Sequence, residues 1–128
     1  DQIDVSATIL REDKTFGFSL MEYDENLTVF DEITKKEIER IQNTTGLITR
    51  DFEINLIHFS AVPWIDFTSY SHARSFTFPD SCPKISYGKM TEENGKKSMA
   101  IAIHVHHGLM DGFHVGQFLT LLQELMNE

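Results

Sequence analysis

Residues 98–126, SMAIAIHVHHGLMDGFHVGQFLTLLQELM, contain a strand pattern followed by a helix pattern. Apolar residues alternate between Ser98 and His107, which is the period of a β-strand. After Asp111 and Gly112 the apolar residues recur three and four positions apart, the period of one helix face. They are Val115, Phe118, Leu119, Leu122, Leu125 and Met126. The stretch therefore predicts a strand over 98–107 that turns into an amphipathic helix packed against a sheet.

The rest of the chain adds strands and one more helix. Alternation at 3–9 and 16–20 predicts a hairpin, and Asn26 is placed to cap a following helix. Residues 52–59 predict a buried strand, residues 65–70 a further extended segment, and residues 85–90 a strand joined to the last one by Asn94-Gly95. The order predicts one α+β domain over 1–128, with a mixed, largely antiparallel sheet and helices packed on a face.

Composition narrows the range of partners and compartments. The 128 residues are 41% apolar and carry a net charge of -9, with 11 basic residues that form no stripe. Nucleic acid is therefore not an expected partner, and no apolar run is long enough to predict a membrane span. Cys82 is the single cysteine, which excludes an internal disulfide and favours the cytoplasm.

His107 is the first candidate for catalysis. In the predicted strand it ends the apolar row of Met99, Ile101, Ile103 and Val105, and desolvation there would keep its imidazole neutral, as a general base requires. Gly108 lets the chain turn away, and a carboxylate at Asp111 would lie near a helix N-terminus. Taken singly, a core histidine and an Asp-Gly helix cap explain the same residues.

Two other groups are candidates. Ser60 follows a predicted buried strand, where a hydroxyl could donate to a developing oxyanion, although a strand-end serine can also bond to the backbone. His104 and His106 form an H-x-H pair that could bind zinc with a third ligand, but no further ligand stands at a diagnostic spacing.

The motifs around these residues resemble one enzyme family. His106 to Gly112, HHGLMDG, matches the H-H-x-x-x-D-G motif of the chloramphenicol acetyltransferases, and Ser60 to Trp64 resembles their S-A-x-P-W segment. Lys89 also fits the family pattern. The resemblance is clear from about Phe59 to the C-terminus and weaker over residues 1–51. It implies that the chain is the C-terminal catalytic part of the family domain, within a larger domain.

The resemblance implies an O-acetyltransferase that moves the acetyl group of acetyl-CoA, a co-substrate and not a permanently bound cofactor, to a small hydroxylated acceptor. His107 would be the general base and Ser60 the oxyanion donor. Asp111, with Gly112, would support the site through an ion pair with an arginine. The chain carries Arg11, Arg40, Arg50 and Arg74, none in the matching context.

The family also implies a homotrimer with active sites between subunits, a role in antibiotic resistance, and chloramphenicol as the best single acceptor. Tyr70, His72 and Lys89 are candidate acceptor or CoA contacts. Tyr70 stands where the family usually has Phe, and His72 where it has an apolar acceptor contact, so the acceptor could differ. The alternative is a non-catalytic trimeric relative that uses the fold as a binding module.

Overall fold

A computed structural model describes residues 2–51, 55–72 and 80–128, which form seven elements. In chain order they are β1 (Asp4–Leu10), β2 (Phe16–Phe18), α1 (Leu27–Gln42), β3 (Leu56–Ala61), β4 (Lys84–Glu93), β5 (Lys96–His104) and α2 (Gly112–Met126). The predicted α+β class is confirmed. Neither helix of the described part is long and apolar enough to cross a membrane.

The strands form one mixed sheet in the order β2-β1-β3-β4-β5. The two central pairings, β1 with β3 and β3 with β4, are parallel, and the two outer pairings are antiparallel. The β4–β5 hairpin turns at Asn94 and Gly95, which have φ values of 53° and 76°. Positive φ at both central residues is the type I′ geometry that Asn-Gly favours, so the predicted hairpin turn is confirmed.

The sheet has one apolar face and one polar face, because side chains alternate along each strand. Both helices lie on the apolar face. There, Gly17 of β2 lies close to Ile41 of α1, while α2 and the β4–β5 hairpin enclose a cavity lined in part by Tyr87 and Leu122. The register places hydroxyls, imidazoles and a lysine on the opposite face: Ser6, Thr8, His58, Ser60, Lys84, Ser86 and His104.

Two predicted strands differ from the structure, and a third lies partly outside it. Residues 65–70 were expected to be extended, but no strand forms there: Val62 O accepts from Ile65 N, and the segment then crosses over β4. The last strand ends at His104 rather than His107. The chain turns beyond it, because His106 O accepts hydrogen bonds from the amides of Leu109 and Met110. The predicted strand over 52–59 includes residues 52–54, which lie outside the described residues. In the described part of this stretch the strand is β3, which begins at Leu56.

Helix α1 begins directly after Asn26, where the sequence predicts a helix start. The Asn26 side chain accepts hydrogen bonds from the amides of Thr28 and Val29, which satisfies donors that an uncapped helix leaves open. On the buried side of α1, Glu37 accepts from the Leu20 amide and pairs with Arg40. Burial would raise the pKa of Glu37, but these hydrogen bonds outweigh it and lower that pKa below its usual range.

Arg11 joins three segments at the other end of α1. Arg11 is 6% exposed, and its guanidinium donates to the carbonyls of Ile41, Phe16 and Gly46 at 2.8, 2.8 and 2.9 Å. A buried guanidinium is tolerated here because its donors meet carbonyl oxygens, including one in the last turn of the helix, where the macrodipole favours a cation.

We expect Arg11→Met to lower the free energy of unfolding by about 2–4 kcal/mol, since several carbonyl groups lose a charged donor together. Urea denaturation monitored by circular dichroism measures the change. Lys36→Met, at an exposed position of α1, is the control and should stay close to the wild type. Equal stability of both variants would contradict the role of Arg11.

Candidate functional site

The centre of the polar face is a pair of serines on neighbouring strands. Ser60 on β3 lies directly opposite Ser86 on β4, and their Oγ atoms are 2.8 Å apart. Ser86 is fully buried, at 0% exposure, whereas Ser60 is half-buried. The parallel ladder thus places the candidate oxyanion donor beside a second hydroxyl that is shielded from solvent.

His72 reaches the same pair from the segment that follows Trp64. Its Nε2 lies 2.9 Å from Ser86 Oγ. The imidazole packs edge-on between two other rings, with centroid distances of 5.1 Å to Tyr70 and 5.4 Å to His104. The ring of Tyr70 in turn packs against that of Phe67, with a centroid distance of 5.3 Å. Two of the predicted contact residues, Tyr70 and His72, therefore pack against each other, and His72 lies beside the serine pair.

Gly88 allows this segment to lie against the sheet. A Cβ at Gly88 would stand 3.0 Å from both Ile65 O and the ring of Phe67, closer than ordinary van der Waals contact. The backbone of Lys89 completes the contact, donating to Ile65 O at 2.8 Å. The Lys89 side chain is exposed and belongs to none of the contacts of the Ser60 cluster. Its predicted binding role stays a prediction.

A cavity of about 180 Å³ opens on the polar face beside Ser60. Its lining residues are Ser6, Thr8, Phe18, His58, Phe59, Ser60, His72 and Lys84. The hydroxyl of Ser6 is 1% exposed and has no hydrogen-bond partner among the described residues. Because a buried hydroxyl without a partner is costly, this wall is suited to a ligand that brings hydrogen-bonding groups.

Burial and neighbouring charges determine the protonation states of the ionisable groups at the cavity. Burial, together with the nearby charge of Lys84, lowers the pKa of His58, so that its imidazole is neutral near pH 7. Lys84 forms an ion pair with Asp80. Burial would raise the pKa of Asp80, but hydrogen bonds from Lys84 and from the amide of Cys82 outweigh it and lower that pKa to about 2. The cavity therefore offers neutral hydrogen-bonding groups next to a compensated ion pair.

His107 lies in the turn beyond β5 and is exposed. The prediction that it ends the apolar row of the strand is wrong, because the strand stops three residues earlier and alternation no longer applies. Its neighbour His106 shapes the turn: His106 Nδ1 accepts from the Gly108 amide at 3.1 Å. Ser60 is level with Ser86 and Ala102, and no hydrogen bond in the described chain joins His107 to this cluster.

Asp111 is the N-cap of α2, and Gly112 is the first residue of that helix. Asp111 Oδ1 accepts from the amides of Phe113 and His114 at 3.0 and 3.4 Å, and His114 Nδ1 accepts from the Asp111 amide at 3.3 Å. The hydrogen bond from the His114 amide, followed by that from Phe113, lowers the pKa of Asp111. The carboxylate therefore fixes the junction between the motif and the last helix.

The expected arginine partner of Asp111 is not among the described residues. Arg11 bonds to backbone carbonyls near the end of α1, and Arg40 and Arg50 pair with Glu37. Arg74 lies outside the described residues. The arginine ion pair stays a prediction, and among the described residues the Asp111 carboxylate accepts from the backbone amides of Phe113 and His114.

Two residues of the cluster were not singled out for this site by the sequence. Ser86 shares one face of β4 with Lys84, but only the pairing register reveals that it lies opposite Ser60. His104 was considered as half of an H-x-H zinc pair, whereas its ring packs against His72. Over the described residues, no three His, Cys, Asp or Glu side chains are grouped so that they could hold a metal ion.

Solved structures share this architecture. A chloramphenicol acetyltransferase structure superposes with a TM-score of 0.79 at 26% sequence identity, covering 91% of this chain and 57% of the other. A dihydrolipoamide acetyltransferase from Azotobacter vinelandii gives a TM-score of 0.64 at 11% identity and 98% coverage of this chain, a similarity of fold alone. The class of fold is therefore one found in acetyltransferases.

The sequence narrows the class to one family. The family model described as chloramphenicol acetyltransferase matches residues 1–123, and the chain belongs to this family. It is 35% identical to a chloramphenicol acetyltransferase of Bacillus pumilus over 94% of this chain, and 30% identical to chloramphenicol acetyltransferase 3 of Escherichia coli over 99%. It spans 56% and 61% of the lengths of these relatives. The match includes residues 1–51, where the motifs alone predicted only a weak resemblance, and the C-terminal placement stays a prediction.

We expect Asp111→Ala to lower the free energy of unfolding by about 1 kcal/mol, since an N-cap is lost, while Asp111→Asn changes it little because asparagine also caps helices. Urea denaturation of both variants measures this, with Asn26→Ala at the start of α1 as the matched cap variant. A loss of about 3–5 kcal/mol in Asp111→Asn would instead show a buried ion pair with an arginine.

Proposed function

We propose that this protein is an acetyl-CoA-dependent O-acetyltransferase that acts on a hydroxyl of chloramphenicol or a similar small acceptor. His107 is the general base and Ser60 the oxyanion donor. The observation that carries the proposal is the family match over residues 1–123 together with both intact motifs, H-H-x-x-x-D-G at His106 to Gly112 and S-A-x-P-W at Ser60 to Trp64.

The reaction proceeds by direct transfer. His107 removes the proton of the acceptor hydroxyl while the oxygen attacks the thioester carbonyl carbon, which forms a C–O bond and a tetrahedral oxyanion. Ser60 Oγ donates a hydrogen bond to that oxyanion. When the intermediate collapses, the C–S bond breaks, and the departing CoA sulfur takes the proton back from His107. No acyl-enzyme is formed.

The separation of the two residues supports a site built from two chains. In one chain His107 is exposed in the turn after β5, whereas Ser60 lies on the polar face, level with Ala102. An exposed base that projects from one subunit can reach the cavity of the next. This arrangement agrees with the homotrimer, with active sites between subunits, that the family resemblance implies.

The cavity lining favours acceptors with several polar groups. His58, Ser6 and Lys84 line the wall beside Ser60. A purely apolar group placed there would leave buried donors and acceptors without partners, and sites of this kind discriminate strongly against it. The acceptor panel should therefore include chloramphenicol and more highly hydroxylated compounds.

We expect His107→Ala to lower turnover by about 10²- to 10⁴-fold, because the general base is lost, without a change in thermal stability. Release of the CoA thiol from acetyl-CoA in the presence of each acceptor measures turnover.

His106→Asn is the matched control, since the asparagine side chain can still accept from the Gly108 amide and preserve the turn. It should keep most of the activity. Wild-type turnover in His107→Ala would exclude His107 as the base. If the unchanged protein binds acetyl-CoA but releases no thiol with any acceptor, the chain is a non-catalytic relative.

We expect Ser60→Ala to lower turnover by about 10²- to 10³-fold with little change in the KM for acetyl-CoA, since the hydrogen bond strengthens in the transition state. Ser98→Ala is the control, because it removes a hydroxyl that pairs across strands with Thr91, away from the cavity. A loss seen only as weaker acetyl-CoA binding would make Ser60 a residue that positions the substrate.

A further inference from the structure

Ser86 is the middle member of a chain of three hydrogen-bonding groups. Its Oγ lies 2.8 Å from Ser60 Oγ and 2.9 Å from His72 Nε2. Ser86 is completely buried, so bulk water cannot replace either partner. We call Ser60, Ser86 and His72 the hydroxyl relay.

The relay can run in two directions, because each hydroxyl has one hydrogen to donate. If His72 Nε2 accepts from Ser86, the single hydrogen of Ser86 is already engaged, and Ser86 must accept from Ser60. The Ser60 hydroxyl then has no hydrogen left to donate to a substrate. If His72 Nε2 donates to Ser86, the hydrogen of the buried Ser86 hydroxyl is available for Ser60, and the hydrogen of Ser60 is then free to point into the cavity. Only the second direction leaves Ser60 able to donate to an oxyanion.

We infer that His72 is a positioning residue that donates from Nε2 to Ser86 and thereby directs the Ser60 hydroxyl toward the reacting carbonyl. The inference rests on the proposed role of Ser60 as oxyanion donor. It assigns to His72 a function through Ser60, with no contact to the reacting atoms required.

Imidazole chemistry permits this direction. The imidazolium cation and one of the two neutral tautomers carry a hydrogen on Nε2, and only the other tautomer lacks it. Negative charge developing on the oxyanion also favours donation along the whole relay, because aligned hydrogen bonds polarise one another in a low dielectric.

Packing holds the ring in place for this role. His72 meets the rings of Tyr70 and His104 at interplanar angles of 72° and 83°, so both flanking contacts are edge-on. Gly88 lets the segment carrying His72 approach β4 closely enough for the 2.9 Å contact. The ring therefore presents Nε2 to Ser86 through packing of the chain as well as through the hydrogen bond itself.

The tautomer of His72 tests the inference without any assay of activity. A long-range ¹H–¹⁵N correlation spectrum of the ¹⁵N-labelled protein distinguishes protonated from unprotonated ring nitrogens. The peaks of His72 are assigned by their loss in His72→Gln. We expect a protonated Nε2; a neutral ring protonated only on Nδ1 would overturn the inference.

Kinetics test the coupling to Ser60. We expect His72→Leu to lower kcat about tenfold, the effect of one hydrogen bond, with the KM for acetyl-CoA unchanged. His72→Gln keeps an N–H donor near the position of Nε2 and should restore most of the turnover. In Ser60→Ala, adding His72→Leu should cause no further loss, since the relay then has no hydroxyl to direct.

The outcomes separate this inference from the proposed function. If Ser60→Ala is impaired but His72→Gln is as slow as His72→Leu, or the two losses multiply, the relay is wrong and the oxyanion role of Ser60 stands. If Ser60→Ala retains full turnover, the oxyanion role is wrong and the relay is overturned with it.

Discussion

The parallel pairing of β3 with β4 determines which side chains can meet at the candidate site. Ser60 faces Ser86 in this register, and both strands present their hydroxyls on the face that carries neither helix. A slip of one residue would turn the whole set to the opposite side of the sheet. The ladder therefore fixes the polar cavity and the apolar helix-packing face at the same time.

The segment from Ile65 to His72 depends on that ladder. It forms no strand of its own but lies over β4 where Gly88 has no side chain, and the Lys89 amide holds it there. This crossing brings His72 to Ser86 and places aromatic rings along one wall of the site. A larger residue at Gly88 would displace the segment and, with it, the third member of the relay.

The histidine motif obeys different, local constraints. His106 accepts from the Gly108 amide, and Asp111 caps α2, so the turn between β5 and the helix is defined by its own side chains. This turn leaves His107 exposed rather than buried at the end of a strand. The cavity and the motif are thus built separately, which is the geometry expected if each active site takes its base from one subunit and its oxyanion donor from another.

The sequence by itself determined the features that depend on neighbouring residues: α1 with its Asn26 cap, the Asn94-Gly95 hairpin, α2 and the H-H-x-x-x-D-G motif. It also determined the α+β class, because hydrophobic periodicity survives in local stretches. Only the tertiary structure decided the strand order, the end of β5 at His104, and the meeting of Ser60, Ser86 and His72. The strand order and the Ser60–Ser86–His72 cluster depend on contacts between segments far apart in the chain, such as those of Ser86 with residues 14 and 26 positions away, and no local pattern specifies which distant strands will pair. The end of β5 follows from the backbone turn at His106, which strand alternation does not reveal.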